Sequence, residues 1–206
     1  MATRTEAVTR SKTTADTGHD GSSRAQPLLQ QRAREIQPYG TVARLPIGLD
    51  EKVCQASVES LNQVLADTMT LRDLYKKHHW QVAGHTFYQL HLLFDKHAEE
   101  QEELIDLIAE RVQSLGAISV GDPRHAAEIT RIERPPDGSE TPRQMIGRLL
   151  AAHERMIEAM RDAIDRTARN GDWGTNDLLM SDVLRRHEMQ VWFLAEHLVD
   201  VPVVAK

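Results

Sequence analysis

Residues 79–111 read HWQVAGHTFYQLHLLFDKHAEEQEELIDLIAER and contain acids and histidines at helix-compatible spacings. Five of these side chains are candidate metal ligands, namely His79, His91, Asp95, Asp106 and Glu110. Imidazole and carboxylate groups in combination suit iron, manganese or zinc, and they differ from the thiolates of a soft metal site. The stretch therefore predicts a metal centre.

A single helix cannot close this centre. If residues 87–115 form one helix, Asp95 and Asp106 lie about 16 Å apart along its axis, at 1.5 Å per residue. Metal–oxygen bonds of about 2 Å cannot span that distance. Either the residues do not form one site, or a second, antiparallel copy of the helix supplies the missing ligands. The second alternative predicts a metal centre shared between two subunits.

The angular positions around this helix leave the choice of acids open. Measured from His91, the three acids named above fall at roughly 40°, 60° and 100°. Glu99 and Glu102 fall in the same quarter, at roughly 80° and 20°. None of the ten histidines follows a glutamate by three residues, so the Glu-x-x-His motif of a di-iron site inside one bundle is missing. A plain helical bundle whose acidic face forms salt bridges is the least favoured alternative, because this helix offers only Lys96 and Arg111 as basic partners.

Composition predicts a helical, single-domain protein. Only 4% of the 206 residues are aromatic, and the single cysteine, Cys54, rules out an internal disulfide. No apolar stretch approaches the length of a membrane span, and the N-terminus lacks the apolar core of a secretory signal. A cytoplasmic location is therefore expected. Residues 1–48 hold seven basic and four acidic residues, a net charge of +3. Because the whole chain has a net charge of −6, the remaining residues carry −9.

The chain is expected to consist of a flexible, weakly basic tail, residues 1–48, and an all-α domain, residues 49–206. The tail has few large apolar groups and no periodicity. Capping boxes are predicted at Thr86 with Gln89 and at Thr141 with Gln144. A long crossover, with a short helix at 123–130, separates two helix pairs, which is the ferritin-like arrangement of a four-helix bundle. The expected helices are 50–84, 86–116, 141–170 and a fourth from about 175 onwards.

The candidate ligands and their neighbours resemble a known family. His79-Trp80, residues 87–91, Asp95 and the run Asp106-Leu-Ile-Ala-Glu-Arg111 are similar to the mini-ferritins, or DNA-binding proteins from starved cells (Dps). The resemblance covers about residues 50–200. It implies a hollow dodecamer with a ferroxidase centre at each end of every twofold interface. One subunit would supply His79, His91 and Asp95, and its mate Asp106 and Glu110.

The resemblance also implies a chemistry. Fe(II) would be oxidised, preferentially by hydrogen peroxide, and stored as a ferric mineral, which protects DNA from oxidative damage. Ligand type alone leaves zinc and manganese open as substitutes. Trp80, beside a ligand, is expected either to absorb stray oxidising equivalents or to anchor the interface.

Further acids and histidines have two interpretations each. Asp172 and Asp177 resemble the carboxylates that the family gathers around threefold pores, and Asp182 extends that path. The alternative is that Asp172 and Asp177 are turn and helix-terminus acids. His78 is the local rival of His79. Core or interface roles are expected for the remaining histidines on helix faces, namely His97, His153, His187 and His197, although His97 or His187 joining the centre is left open.

A second function is in competition with the ferroxidase. The tails would coat DNA and shield it physically, with twelve weakly basic tails acting through avidity. Such binding would make the protein nucleoid-associated. The net charge of only +3 on each tail favours the ferroxidase over this alternative.

Overall fold

A computed structural model describes residues 35–199 of the chain. All regular secondary structure in that range is helical, and its one β-type contact is an isolated bridge between Val42 and Ala117. None of the described helices is long and apolar enough to span a membrane. The helices are α1 (Glu51–Gln81), α2 (Phe87–Ser114), α3 (Pro123–Ile129), α4 (Pro142–Asn170), α5 (Trp173–Asp177) and α6 (Arg185–Ala195), with a π-helical segment (Leu178–Leu184) between the last two and a 3₁₀ turn (Glu196–Leu198) at the end.

The four predicted helices and the short crossover helix are confirmed. Helices α1, α2 and α4 form three members of the bundle, and α5, the π-helical segment and α6 together form the fourth, which begins at Trp173. Their apolar stripes meet in one core of leucine, isoleucine, valine and methionine side chains. Burial of each such side chain contributes about 1.5–3 kcal/mol, so the bundle is stabilised mainly by this core.

The two predicted capping boxes differ in outcome. The Thr141 hydroxyl accepts a bond from the Gln144 backbone N–H at 3.3 Å, and the Gln144 side chain accepts one from the Thr141 N–H at 3.1 Å, so this box is confirmed. The box at Thr86 is wrong, because its side chain makes no capping bond. With φ −99° and ψ 13°, Thr86 lacks the extended conformation that directs an N-cap side chain toward the helix.

The π-helical segment changes which residues of the fourth bundle helix face inward. The spacing of Met180, Leu184 and His187 in the sequence predicts that all three lie on the buried stripe of this helix, but Met180 is 40% exposed. One additional residue per turn shifts the register of the side chains that follow. Leu179 and Val183 are buried instead, and His187 and Gln190 lie in the core.

The segment that precedes α1 contacts the end of α2. The Ala43 N–H donates to the Gly116 carbonyl at 2.7 Å, and Gln37 Nε2 donates to the same oxygen at 2.8 Å. Gly116 has φ +86°, and a Cβ there would lie 2.0 Å from the Ala43 carbonyl oxygen, so only glycine fits. Residues 37–48 thus make defined contacts, whereas residues 1–34 lie outside the described part. The predicted boundary at residues 48 and 49 stays a prediction.

Candidate metal centre

His79 and His91 form a reciprocal pair where the end of α1 meets the start of α2. His79 Nδ1 lies 2.8 Å from the His91 carbonyl oxygen, and His91 Nδ1 lies 2.9 Å from the His79 carbonyl oxygen. The two rings stack with centroids 3.8 Å apart. A carbonyl only accepts, so each Nδ1 carries the proton and each Nε2 keeps its lone pair. Both imidazoles are therefore held in the tautomer that binds a metal through Nε2.

Asp95 lies beside this pair and is bonded to a cation from α1. Its Oδ1 is 2.5 Å from Lys76 Nζ and 3.8 Å from His79 Nδ1. The hydrogen bond from Lys76 lowers the pKa of Asp95, so the carboxylate is ionised at neutral pH. Lys76 was missed in the sequence, although it precedes His79 by three residues and therefore shares its helix face. We call His79, His91, Asp95 and Lys76 the outer cluster.

The acids of the second half of the motif are exposed and unpaired within the described chain. Asp106 and Glu110 make no hydrogen bond or ion pair among residues 35–199. Glu102, which the helix angles left as a rival ligand, instead bonds to Arg72 at 2.6 Å. In this part of the chain no three histidine, cysteine, aspartate or glutamate side chains are close enough to hold one metal ion. Residues 35–199 of one subunit therefore do not assemble such a site by themselves.

The structure separates His78 from His79. His78 is fully buried, close to Phe94, and neither ring nitrogen has a partner among the described residues. Burial lowers the pKa of His78 to about 4. The side chain of His79 is 13% exposed and faces His91. His79, and not His78, therefore belongs to the outer cluster.

Large apolar side chains that neighbour His79 and His91 in the sequence are exposed, and the ring of Phe87 lies 5.1 Å from that of His91. Trp80 is 73% exposed and Tyr88 68% exposed. Phe87 and Leu92, on the first turns of α2, are exposed as well. Contiguous apolar side chains at a protein surface are typical of a protein–protein contact.

The predicted pore acids do not share one environment. Asp172 is 1% exposed, and its carboxylate accepts bonds from Arg111, Ser57 and Thr175 at 2.6–2.7 Å. It caps α5 and pairs with Arg111, which is the alternative that the sequence left open. Asp177 and Asp182 are exposed, and Asp177 accepts a bond from Ser181. Only Asp177 and Asp182 remain pore candidates.

Three of the other histidines meet in the bundle interior. His97, His153 and His187 are at most 1% exposed. The hydroxyl of Tyr75 links His97 to His153, and His153 in turn contacts His187. The sequence predicted core or interface roles for them and placed Tyr75 on the apolar stripe of the first helix, but it did not predict the hydrogen bonds between them. We call Tyr75, His97, His153 and His187 the inner cluster. His197 is exposed and bonds its Nδ1 to the Phe193 carbonyl.

Comparison with known proteins agrees with this architecture. The family model of the ferritin-like domain matches residues 58–204. The DpsC protein of Streptomyces coelicolor is 59% identical and superposes with a TM-score of 0.81, over 84% of this chain and 100% of that one. A nutrient stress-induced DNA-binding protein of a Nostoc species is 32% identical, over 79% of this chain and 88% of the relative.

A more distant structure shows the same fold. A Dps protein of Vibrio cholerae O1, described as a member of a broad superfamily of ferritin-like diiron-carboxylate proteins, is 27% identical with a TM-score of 0.72, over 77% of this chain and 99% of that one. The chain belongs to the ferritin-like proteins and, within them, to the Dps mini-ferritins. The resemblance seen in residues 79–111 is thereby confirmed at the level of the family.

Proposed function

We propose that this protein is a ferroxidase that oxidises Fe(II) at sites shared between two subunits. The observation that carries the proposal is the pair of contacts between the Nδ1 atoms of His79 and His91 and backbone carbonyls, from which the free Nε2 lone pairs follow. Two Nε2 lone pairs and the ionised Asp95 form a half-site of the nitrogen and oxygen donors that suit iron. The relative from Vibrio cholerae, described as a diiron-carboxylate protein, supports this assignment.

The other half of the site comes from a second copy of α2. Asp106 and Glu110 lie three to four turns beyond Asp95 on the same helix, so an antiparallel partner brings its own Asp106 and Glu110 to the outer cluster. The exposed Trp80 and Tyr88 would be covered by the same contact. A hollow dodecamer built from such pairs accounts for both the unpaired acids and the apolar surface.

The chemistry follows from two adjacent irons as substrates. Hydrogen peroxide accepts two electrons and two protons to give two water molecules, and two Fe(II) ions supply one electron each. Glu110 would bridge or anchor the irons, Asp95 and His79 would hold one, and Asp106 and His91 the second. Paired delivery avoids the release of hydroxyl radical, and oxidised iron would be stored as ferric mineral. Asp177 and Asp182 would draw Fe(II) through a pore.

The ferroxidase is tested by replacing the acids that the partner would supply. Asp106→Ala and Glu110→Ala should each slow Fe(II) oxidation by peroxide more than about 100-fold, since even groups outside the ligand set of a metal contribute about 10- to 100-fold. Stopped-flow absorbance measures the rate. Glu99→Ala is the matched control, because Glu99 is exposed on the same helix and in the same angular quarter but is not a ligand.

Assembly is measured on the same samples. Sedimentation velocity should show the same oligomer for all three variants, so a loss of rate reports ligands and not dissociation. Unchanged rates in both Asp106→Ala and Glu110→Ala would exclude the shared di-iron mechanism. An equal loss in Glu99→Ala would show that only the summed acidity of α2 matters.

A second candidate function is DNA binding through the N-terminal tails. The tail is the basic part of an otherwise acidic chain, and a Nostoc relative is named as DNA-binding. Deletion of residues 1–34 removes most of the tail and keeps the contacts of Gln37 and Ala43 with Gly116. We expect a gel shift of the full chain at low salt that weakens steeply with added salt and is lost in the deletion variant. Equal shifts for both proteins would exclude the tail.

A further inference from the structure

The inner cluster forms a continuous chain of hydrogen bonds across the bundle. Tyr75 Oη lies 2.5 Å from His153 Nε2 and 3.2 Å from His97 Nδ1. His153 Nδ1 in turn lies 2.9 Å from His187 Nδ1. These residues come from α1, α2, α4 and α6, so every member of the four-helix bundle contributes one side chain.

The two distances to Tyr75 indicate which way its proton points. O–H donors form shorter hydrogen bonds, about 2.5–3.0 Å to oxygen, than N–H donors, about 2.7–3.2 Å. The contact of 2.5 Å therefore fits a Tyr75 O–H that donates to His153, and the contact of 3.2 Å fits a His97 N–H that donates to Tyr75. His153 then carries its proton on Nδ1 and donates it to His187.

The rest of the cluster is consistent with this order. His187 must carry its own proton on Nε2, and that atom is buried without a partner among the described residues. Burial lowers the pKa of His187 to about 3 and holds the pKa of His153 well below its ordinary value, so both rings are neutral at pH 7. Burial, followed by the charge of Glu100, raises the pKa of Tyr75. The phenol is thus protonated and donates into a chain of neutral imidazoles.

We propose that Tyr75 is a redox-active residue that gives up an electron to a strong one-electron oxidant and its proton to His153. The oxidant is hydroxyl radical, formed when a lone Fe(II) reduces hydrogen peroxide by one electron. In that respect the proposal rests on the proposed function. Tyr75 lies one helical turn, about 6 Å along α1, before His79 of the outer cluster.

The step balances in atoms and electrons. Hydroxyl radical takes one electron from Tyr75 and one proton from solvent to give water. The O–H bond of Tyr75 breaks, and its proton binds His153 Nε2, which leaves a neutral phenoxyl radical and an imidazolium. A second Fe(II) then returns one electron and becomes Fe(III), while His153 returns the proton. The net result is that hydroxyl radical is consumed by Fe(II) and the protein is unchanged.

The surroundings make this step easier than at an exposed phenol. An oxidised phenol is a far stronger acid than a neutral one, so even an imidazole of lowered pKa accepts its proton. Leaving the positive charge on the buried ring would be costly, whereas His153 and His187 share it through their 2.9 Å contact. After burial, the carboxylate of Glu100 is the next cause that raises the pKa of Tyr75, so its negative field favours the positive charge that oxidation creates.

The chain supplies its own controls, because it contains only three tyrosines. Tyr39 and Tyr88 are 44% and 68% exposed, and neither bonds to a histidine nitrogen within the described residues. Wild-type protein is mixed with Fe(II) and a small excess of peroxide, frozen within milliseconds and examined by electron paramagnetic resonance. We expect a tyrosyl radical that is lost in Tyr75→Phe and retained in Tyr39→Phe and Tyr88→Phe.

A second arm without iron separates this proposal from the ferroxidase. Azide radicals, generated by pulse radiolysis, oxidise the exposed tryptophans of the iron-free protein, namely Trp80, Trp173 and Trp192, and the hole should then move to Tyr75. Growth of the tyrosyl absorbance at the expense of the tryptophanyl absorbance, lost in Tyr75→Phe, supports the relay even if the protein does not oxidise Fe(II). A tyrosyl signal that persists in Tyr75→Phe, or no signal in either arm, overturns the proposal.

The role of His153 is tested separately from its structural contribution. In His153→Phe the proton acceptor is gone, so the yield of the Tyr75 radical should fall severalfold in the iron-free arm. In the wild type, formation of the radical should slow in deuterium oxide, because the proton moves with the electron. A yield in His153→Phe equal to that of the wild type, in a variant whose circular dichroism shows it to be folded, would exclude His153 as the acceptor.

Discussion

The outer and inner clusters contain similar side chains and differ in how their ring nitrogens are used. In the outer cluster, both Nδ1 atoms bond to backbone carbonyls, so both Nε2 atoms stay available. In the inner cluster, the histidines bond to Tyr75 and to each other, deep in the core. The first arrangement offers lone pairs to an ion from outside, and the second passes a proton along a chain.

This difference shows that burial and partner, more than residue type, decide what a histidine does. A histidine whose Nδ1 donates to a backbone carbonyl keeps its Nε2 lone pair free to bind a metal ion. A histidine bonded to a phenol and to a second imidazole has both ring nitrogens occupied and can pass a proton between them. Substitutions in the two clusters should therefore have opposite signatures. Substitutions in the outer cluster should lower the rate of Fe(II) oxidation and leave the free energy of unfolding nearly unchanged. Substitutions in the inner cluster should lower the free energy of unfolding and leave the two-electron oxidation of Fe(II) by peroxide nearly unchanged.

The largest expected effect is on stability, in the inner cluster. His153→Ala leaves the hydroxyl of Tyr75 and Nδ1 of His187 without partners and opens a cavity, so the free energy of unfolding should fall by about 3–5 kcal/mol. Urea unfolding followed by circular dichroism measures the change. His197→Ala, on an exposed ring, should stay within about 0.5 kcal/mol of the wild type. A loss below 1 kcal/mol for His153→Ala would mean that the network contributes little.

The second expected effect is on activity, in the outer cluster. His91→Ala removes one Nε2 ligand and the stacking partner of His79, so Fe(II) oxidation should slow about 100-fold, equivalent to about 2.7 kcal/mol. Stability should change by less than 1 kcal/mol, because the ring is partly exposed. His85→Ala, in the loop between the two ligands, is the control and should keep the wild-type rate. If His91→Ala lowered the free energy of unfolding as well as the oxidation rate, the proposed difference between the two clusters would be wrong.

The third expected effect is the pH dependence of stability. The pKa of His187 is lowered to about 3 by burial, with further lowering by Arg186 and His97. The unfolded chain therefore binds a proton at this position before the folded chain does, and stability is lost as the pH falls from about 6.5 towards 3, by about 1.4 kcal/mol per pH unit. Urea midpoints at pH 7, 6 and 5 (about one unit apart) follow this slope. Burial also lowers the pKa values of His78, His97 and His153, so these groups add to the slope. His187→Leu should therefore reduce the slope by about 1.4 kcal/mol per pH unit, and His85→Leu, at an exposed position, should leave it unchanged.

The smallest expected effect concerns the cation in the outer cluster. The ammonium of Lys76 occupies an oxygen of Asp95 that an iron would use. In Lys76→Gln the carboxylate is free, so the affinity for Fe(II) under anaerobic conditions should rise by up to about fivefold, since partly exposed ion pairs contribute at most about 1 kcal/mol. Lys77→Gln is the matched control, because Lys77 bonds to Gln81 and the Gly138 carbonyl. A weaker affinity in Lys76→Gln would indicate that Lys76 positions Asp95.

Helices were predictable because their signals are local. Apolar spacing, the Thr141 box and Gly171, which has φ +76°, mark helix bodies and ends within a few residues of the sequence. The Thr86 box failed because the backbone of the short α1–α2 loop holds that residue outside the cap conformation. Met180 failed because a π-helical segment changes the helical period, and the pattern used to find the stripe assumes a constant one.

The residues of the candidate site could be predicted from the sequence, but their burial and their bonding partners could be predicted only in part. The spacing of His79, His91 and Asp95 points to one cluster, and the structure brings these three together. Asp172, by contrast, is a buried cap and ion-pair partner, which no local pattern could separate from an exposed pore acid. That Asp106 and Glu110 come from a partner subunit stays a prediction.

The sequence by itself determined four helices and a long crossover and predicted a set of candidate metal ligands, because helix periodicity and ligand chemistry are properties of neighbouring residues. Only the tertiary structure decided that His79 faces His91 and His78 the core, that Lys76 bonds to Asp95, and that Tyr75 bonds to histidines from two other helices. Hydrogen bonds depend on contacts between residues far apart in the chain, and those contacts exist only once the helices have packed.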